Sequence, residues 1–380
     1  MNKRIESIDI LRGMSIIGIL FMNIVGFHMN EVYTDPLMYF ESPLDQLLYK
    51  LNIIFIHNSF YPIFAFLFGF GLAIMAENIT RRGDNFIPIL YRRVIALLVF
   101  GLLHGFFIFY GDILNVYAVL GLVAIIFLLL PNLITLITAV FLVVIYMFKS
   151  FPIMISVFMQ PDFFGKDFFG FEQSQNEWIR VMTSGDLGKV LQYNQDFFYM
   201  GFAAINPDTT IAYCLSIMPF ILIGMFVKRA NLFKTIVENK ITMIVISLVF
   251  AVLGIVLKYL MIAYEINAGA SGEYIYYGGV LLSISYIIWV TLLTENSTMK
   301  KLFTPFQMMG KMSFTLYIMQ SVLMFIIFYV FKQYAQLSIA EVYLVAFAIV
   351  IFQMVFTTLY FKKFKQGPLE WIWRKITYLK

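Results

Sequence analysis

A chain of 380 residues that is 61% hydrophobic and only 13% charged is not an ordinary soluble domain, in which about a quarter of the residues carry charge. Its formal net charge of +5 does not mark a nucleic-acid binder, because the basic residues stand beside apolar runs, as membrane topology requires. One cysteine, Cys214, and three irregularly spaced histidines exclude a disulfide framework and leave no metal signature.

The apolar runs are far too long for a membrane β-barrel. They predict an all-α, polytopic membrane helix bundle of about ten spans, at roughly 10–28, 53–76, 93–110, 112–130, 132–149, 209–227, 241–264, 274–294, 312–331 and 339–361. Placing both termini in the cytoplasm puts 20 of the 27 Lys and Arg residues on that side, and most acids in the outer segments. The expected organisation is a single integral domain of the cell membrane. A five-span half over 1–149 and a second five-span half over 209–380 flank an external, aromatic-rich segment at 150–208, which suits interfacial pieces or a lid.

In the first span Asp9, Arg12, Gly13, Ile16, Leu20 and Asn23 recur at three or four residues and share one face. Asp9 and Arg12 can pair at the inner boundary, with Asn23 deeper on the same stripe. The second span starts near His57, read as an interfacial histidine, and its Pro62, Gly69 and Gly71 suggest a kink with close helix contact. The third and fourth spans form the most informative stretch, RRVIALLVFGLLHGFFIFYGDILNVYAVLG. Arg92 and Arg93 open its first helix, where free N–H groups and the dipole favour phosphate. His104 lies roughly 16 Å further along, near the middle of a bilayer core of about 30 Å. Gly111-Asp112 makes a turn that sets Asp112 and Asn115 above the histidine, Asp112 also suiting the N-cap of the next helix. The ninth span carries Ser313, Tyr317 and Gln320 on one inward stripe. The closing segment, FKQGPLEWIWRKITYLK, reads as a short helix lying on the inner leaflet and facing membrane lipids.

Three stretches, RIESIDILRGMSIIGILFMNI, GLLHGFFIFYGDILNVYAVLG, and GKMSFTLYIMQS followed by GPLEWIWRKITY, together resemble the YeiB family of bacterial membrane proteins. The first half is more weakly similar to transmembrane acyltransferases such as the heparan-α-glucosaminide N-acetyltransferases, through Ser7, Asp9, Arg12 and Gly13. That likeness implies transfer of an acyl group from cytoplasmic acyl-CoA to an external acceptor, by a histidine. The polysaccharide O-acetyltransferases place theirs inside the first span, where this chain has Asn23. His104 with Asp112 is accordingly the candidate catalytic pair. Arg12, Arg92 and Arg93 are the candidates for holding the acyl-CoA, and Asn23, Asn115, Tyr317 and Gln320 for a cell-envelope glycan or lipid acceptor; no metal and no nucleic acid is expected. A rival reading is a transporter, since five plus five spans permit an inverted repeat.

Overall fold

The computed structural model describes residues 6–29, 36–160, 172–202, 206–264 and 268–379. Every regular element among them is helical. Among the described residues, nine segments are long and apolar enough to cross a membrane, joined by one shorter apolar piece. The chain is a polytopic helix bundle.

The first half comprises α1 (Glu6–His28), a single turn α2 (Pro36–Tyr39), α3 (Pro43–Phe55), α4 (Tyr61–Thr80), α5 (Phe86–Phe107) and α6 (Ile113–Ala124), then α7 (Asn132–Met159). The second expected span is therefore interrupted. Residues 56–60 are unwound between α3 and α4, and Asn58 stands at φ 56°. The cause is Pro62, which has no N–H and whose ring would strike the carbonyl of Asn58 four residues earlier. The carbonyls freed by the break are met from elsewhere. Lys258 Nζ donates to His57 O at 2.5 Å and to Ser59 Oγ at 2.8 Å, Ser283 Oγ donates to Ser59 O at 2.6 Å, and Tyr286 OH to Phe55 O at 2.9 Å. His57 thus belongs to an internal turn rather than to a simple interfacial position, and His28 is buried, its Nε2 accepting from Leu337 N. Lys258→Met is expected to lower the melting temperature by several degrees, because two acceptors lose their donor at about 1–3 kcal/mol for a buried group left unmet. A variant that melts at or above the parent temperature would mean that desolvating the ammonium costs more than those bonds return.

The fourth expected span is the short one. With the 3₁₀ turn Ile125–Leu128 that extends it, α6 covers 16 residues, about 24 Å of rise against a core of about 30 Å. Its ends are fixed by the Asp112 cap and by Pro131, which precedes α7. Conversely, α7 runs ten residues past the expected span. The segment beyond it contains two helices, α8 (Glu172–Thr183) and α9 (Leu187–Gly201); Phe163, Phe164, Phe168, Phe169 and Phe171 lie outside the described residues. Asn194 docks α9 onto the α5–α6 turn, its Nδ2 donating to the carbonyls of Gly105 (2.9 Å) and Phe106 (3.0 Å) while its Oδ1 accepts from Tyr110 N (2.7 Å).

The second half contains α10 (Pro207–Ser216), α11 (Met218–Arg229), α12 (Leu232–Glu238), α13 (Lys240–Ala263), α14 (Ala268–Leu293), α15 (Ser297–Leu302), α16 (Thr304–Lys311), α17 (Ser313–Phe325), a π turn at Ile326–Val330, α18 (Ile339–Tyr360) and α19 (Pro368–Tyr378). The break between α10 and α11 repeats the logic of α3–α4. Pro219 ends α10, and the freed carbonyl of Ser216 accepts from Tyr276 OH at 3.0 Å. Both post-break helices, α4 and α11, run toward the basic side, and they pack backbone to backbone. A Cβ on Gly69 would fall on the carbonyl of Ile221, and one on Gly224 on the carbonyl of Phe66. The same buried core joins α1, α4, α5, α6, α11, α16 and α17.

Candidate functional site

His104 sits one turn before the end of α5, and its own carbonyl accepts from Ile108 N and Phe109 N. The chain then reverses over 108–112, and Asp112 caps α6. This brings the carboxylate back over the imidazole, Nδ1 to Oδ1 at 2.7 Å. Gly101 permits the overlap, because a side chain there would collide with the backbone of Asn115.

Both partners are buried, at 3% and 4% exposure. Asp112 Oδ2 accepts from Asn115 N (2.7 Å) and Asn115 Nδ2 (3.0 Å), and Oδ1 also accepts from Tyr317 OH (3.3 Å). Tyr317 OH in turn accepts from Ile113 N at 3.4 Å. A carboxylate surrounded by donors holds the imidazole with its proton on Nδ1, which leaves the Nε2 lone pair free. Nε2 has no hydrogen-bond partner among the described residues, and neither has Asn115 Oδ1. An ionisable pair at this depth is expensive to keep and is a functional candidate for that reason.

A cavity of about 1010 Å³ opens on the basic side of the bundle, at the upper end of small-molecule sites, roughly 300–1,000 Å³. Its lining includes seven basic side chains (Arg12, Arg82, Arg93, Lys228, Lys311, Lys365, Arg374) against three acids (Asp9, Glu77, Glu370). Further in, the lining turns apolar and aromatic, with Phe68, Leu97, Leu114, Tyr117, Phe314 and Tyr317. His104 is not on the wall. Tyr317 is, and its ring centroid lies 5.2 Å from the imidazole. The tyrosine hydroxyl is the link between the cavity and the buried pair.

The two adjacent arginines divide. Arg93 lines the cavity with its guanidinium 3.5 Å over the Trp373 ring, whereas Arg92 Nε donates to Thr377 O at 3.1 Å and leaves the lining. Consecutive helical residues lie about 100° apart, so both cannot face one site. Arg12 lines the cavity beside Asp9 (3.4 Å). Asn115 belongs to the Asp112 cap. Asn23 is half-buried on α1, away from the lining, and Gln320 is tied to Gln353 Oε1 at 2.9 Å. Among the described residues, no group of three or more His, Cys, Asp or Glu side chains could hold a metal ion.

Glu370 also lines the cavity, a position that the GPLEW pattern alone does not disclose. Oε1 accepts from Phe314 N (2.8 Å) and Thr315 N (3.1 Å), and Oε2 from Thr315 Oγ1 (2.5 Å), so the carboxylate caps α17. Burial raises its pKa above the ordinary carboxylate value, against those hydrogen bonds. The GPLEW element is thereby explained. Gly367 and Pro368 start α19, Leu369 N donates to Thr315 Oγ1, Glu370 caps α17, and Trp373 closes on Arg93 through its Nε1 bond to Arg93 O.

Comparison with known proteins finds relatives along the whole chain. Residues 227–380 match the family model described as "Protein of unknown function (DUF418)". The chain is 31% identical to "Uncharacterized protein YxaH" of Bacillus subtilis (strain 168), an alignment that covers all of this chain and 95% of the relative. It is 24% identical to "Uncharacterized 39.9 kDa protein in amylase 3'region" of Bacillus acidopullulyticus, with the same coverage. A shorter match, 32% identical over 123 residues, covers 32% of this chain and 30% of "Uncharacterized protein YeiB" of Escherichia coli (strain K12). No solved structure matches the chain.

Proposed function

The chain belongs to the YeiB-like, DUF418 family, and from that premise we propose that it is a membrane acyltransferase, moving an acyl (acetyl) group from cytoplasmic acyl-CoA to a cell-envelope glycan or lipid on the far side. The observation that carries this reading is the buried His104–Asp112 pair, held at 2.7 Å behind the cavity wall formed by Tyr317. The cavity suits the donor, because seven basic groups against three acids favour an anion rich in phosphate. Its aromatic inner end suits an apolar acyl chain. In the transfer, the side chains that cover His104 Nε2 move aside, and Nε2 takes the proton of the acceptor hydroxyl as that oxygen bonds to the thioester carbonyl. The C–S bond breaks, and the imidazolium returns the proton to the leaving thiolate. Asp112 holds Nδ1–H and stabilises the imidazolium between those steps.

The test is incubation of purified protein with radiolabelled acetyl-CoA and an envelope extract. Labelled, acylated product supports the reading, and its absence together with undetectable coenzyme A binding defeats it. Arg93→Gln is expected to weaken coenzyme A binding by about tenfold or more, the loss of one charge-assisted hydrogen bond at about 1.5–3 kcal/mol. Arg92→Gln, off the lining, should stay within about twofold on the same energy scale. Equal losses in the two variants, at unchanged melting temperature, would remove Arg93 from the donor site.

One observation favours the rival reading of a carrier. A break inside a span, as between α10 and α11, is a device of transporters, and α3–α4 breaks at the start of the span Tyr61–Thr80. These two run parallel, not inverted as five plus five spans would require. Uptake of an anion into proteoliposomes without any acylated product would decide for the carrier.

A further inference from the structure

The C-terminal helix α19 has two distinct faces. Glu370, Trp373 and Thr377, three and four residues apart, make the docked face, where they hold α17, Arg93 and Arg92. Trp371 and Ile376 make the other, with Leu379 just past the helix end, and the three are 50%, 42% and 71% exposed. Lys375 shares that face, its Nζ lying 5.2 Å over the Trp371 ring. Lys362 and Lys363 are exposed just before the helix. Glu370, the sole acid in residues 361–379, is turned inward onto α17, so no neighbouring carboxylate in that segment offsets the lysines.

Apolar side chains interleaved with basic ones on one exposed helical face fit the interface of a bilayer. A zwitterionic headgroup would meet the same apolar anchors but would leave the lysines without a counter-charge. An anionic headgroup satisfies both. The second feature is mechanical. The same helix forms part of the cavity wall through Glu370, Trp373, Arg374 and Tyr378, so what secures α19 also sets the shape of that wall.

We infer that the exposed face of α19 binds anionic phospholipid of the adjacent leaflet, and that this lipid holds the helix in the position that completes the basic cavity. The lipid site stands on its own residues, while its effect on a cavity ligand rests on the acyl-CoA reading. The experiment uses purified full-length protein in uncharged detergent, with short-chain phosphatidylglycerol or phosphatidylcholine added. Phosphatidylglycerol should raise the melting temperature by several degrees and phosphatidylcholine should do much less. The shift should disappear in 1 M salt, where the Debye length is about 3 Å. The triple variant Lys362→Gln, Lys363→Gln, Lys375→Gln removes exposed groups only. It should fold normally and respond to the two lipids alike, and Trp371→Ala should weaken the response to both. Equal shifts in the parent protein, or a triple variant that keeps its preference, would overturn the lipid site. In a second arm, coenzyme A affinity should rise about fivefold or more with phosphatidylglycerol, the low end of ordinary coupling. Equal affinity in the two lipids would overturn the coupling, whereas no coenzyme A binding in either would strike the donor reading and leave the lipid site standing.

Discussion

Replacing His104 with Gln is expected to lower acyl transfer by about two to four orders of magnitude, the usual worth of general acid–base help, while the protein still accumulates and elutes as one species. The expectation follows from the arrangement of the pair. Asp112 keeps its bonds from Asn115 and Tyr317, so the substitution removes one partner of a well-satisfied carboxylate, and glutamine offers an amide in place of the ring. What it cannot offer is a basic nitrogen in the position of Nε2. Asp112→Asn should match the loss of rate and also lower stability, not through the cap, which asparagine makes about as well, but because one amide oxygen cannot serve both the cap and the buried donors of His104 and Tyr317, at about 1–3 kcal/mol for a donor left unmet. Tyr317→Phe tests the link to the cavity and should cost less than either. Rate and melting temperature must be read on the same preparations. A His104→Gln protein that melts lower and transfers at the parent rate would reduce the pair to a packing device.

The largest effect on stability is expected at the crossing of α4 and α11. In Gly69→Val and Gly224→Val, the added atoms point at the carbonyls of Ile221 and Phe66. No rotamer relieves a clash with backbone, so two helices must separate. Overpacking of ordinary cores costs about 1–3 kcal/mol, and a contact between main chains leaves fewer ways to relax. Neither valine variant should yield a monodisperse peak in fluorescence-detected size exclusion, and the alanine variants should be intermediate. Parent-like elution and melting of Gly224→Val would show that the crossing is looser than its geometry indicates.

How much of this was legible in the chain differs from element to element. The helical class and most of the spans follow from apolar length alone, since each such run has only its neighbours and the bilayer to bury against. His104 and Asp112 were visible because a histidine deep in an apolar run and a Gly-Asp turn are local signals. Tyr317 was visible only as part of a polar stripe. That its hydroxyl would reach a carboxylate 205 positions away is a product of packing. The same holds for Gln320, whose stripe suggested a substrate contact and whose amide is spent on Gln353. Lys258 escaped notice because one lysine late in an apolar run reads as a side chain reaching for the surface. Its true partners belong to a break in another helix that periodicity does not reveal. Arg92 and Arg93 were paired by sequence and are parted by 100° of helix. The GPLEW element was recognisable as a pattern, yet the capping task of Glu370 requires the first turn of α17 beside it.

The glycine crossing also sets a timetable for synthesis. Gly69 leaves the ribosome about 155 residues before Gly224, which at about 5–20 residues per second is a wait of about 8–30 s. Throughout that interval α4 is in the bilayer with its narrowest face bare and its intended neighbour unmade. Lipid, the insertion machinery or a chaperone must occupy the place, and must yield it when α11 arrives. A slow or stalled second half therefore strands the first half with an open seam, and a copy halted between the two glycines would present quality-control proteases with a recognisably unfinished product.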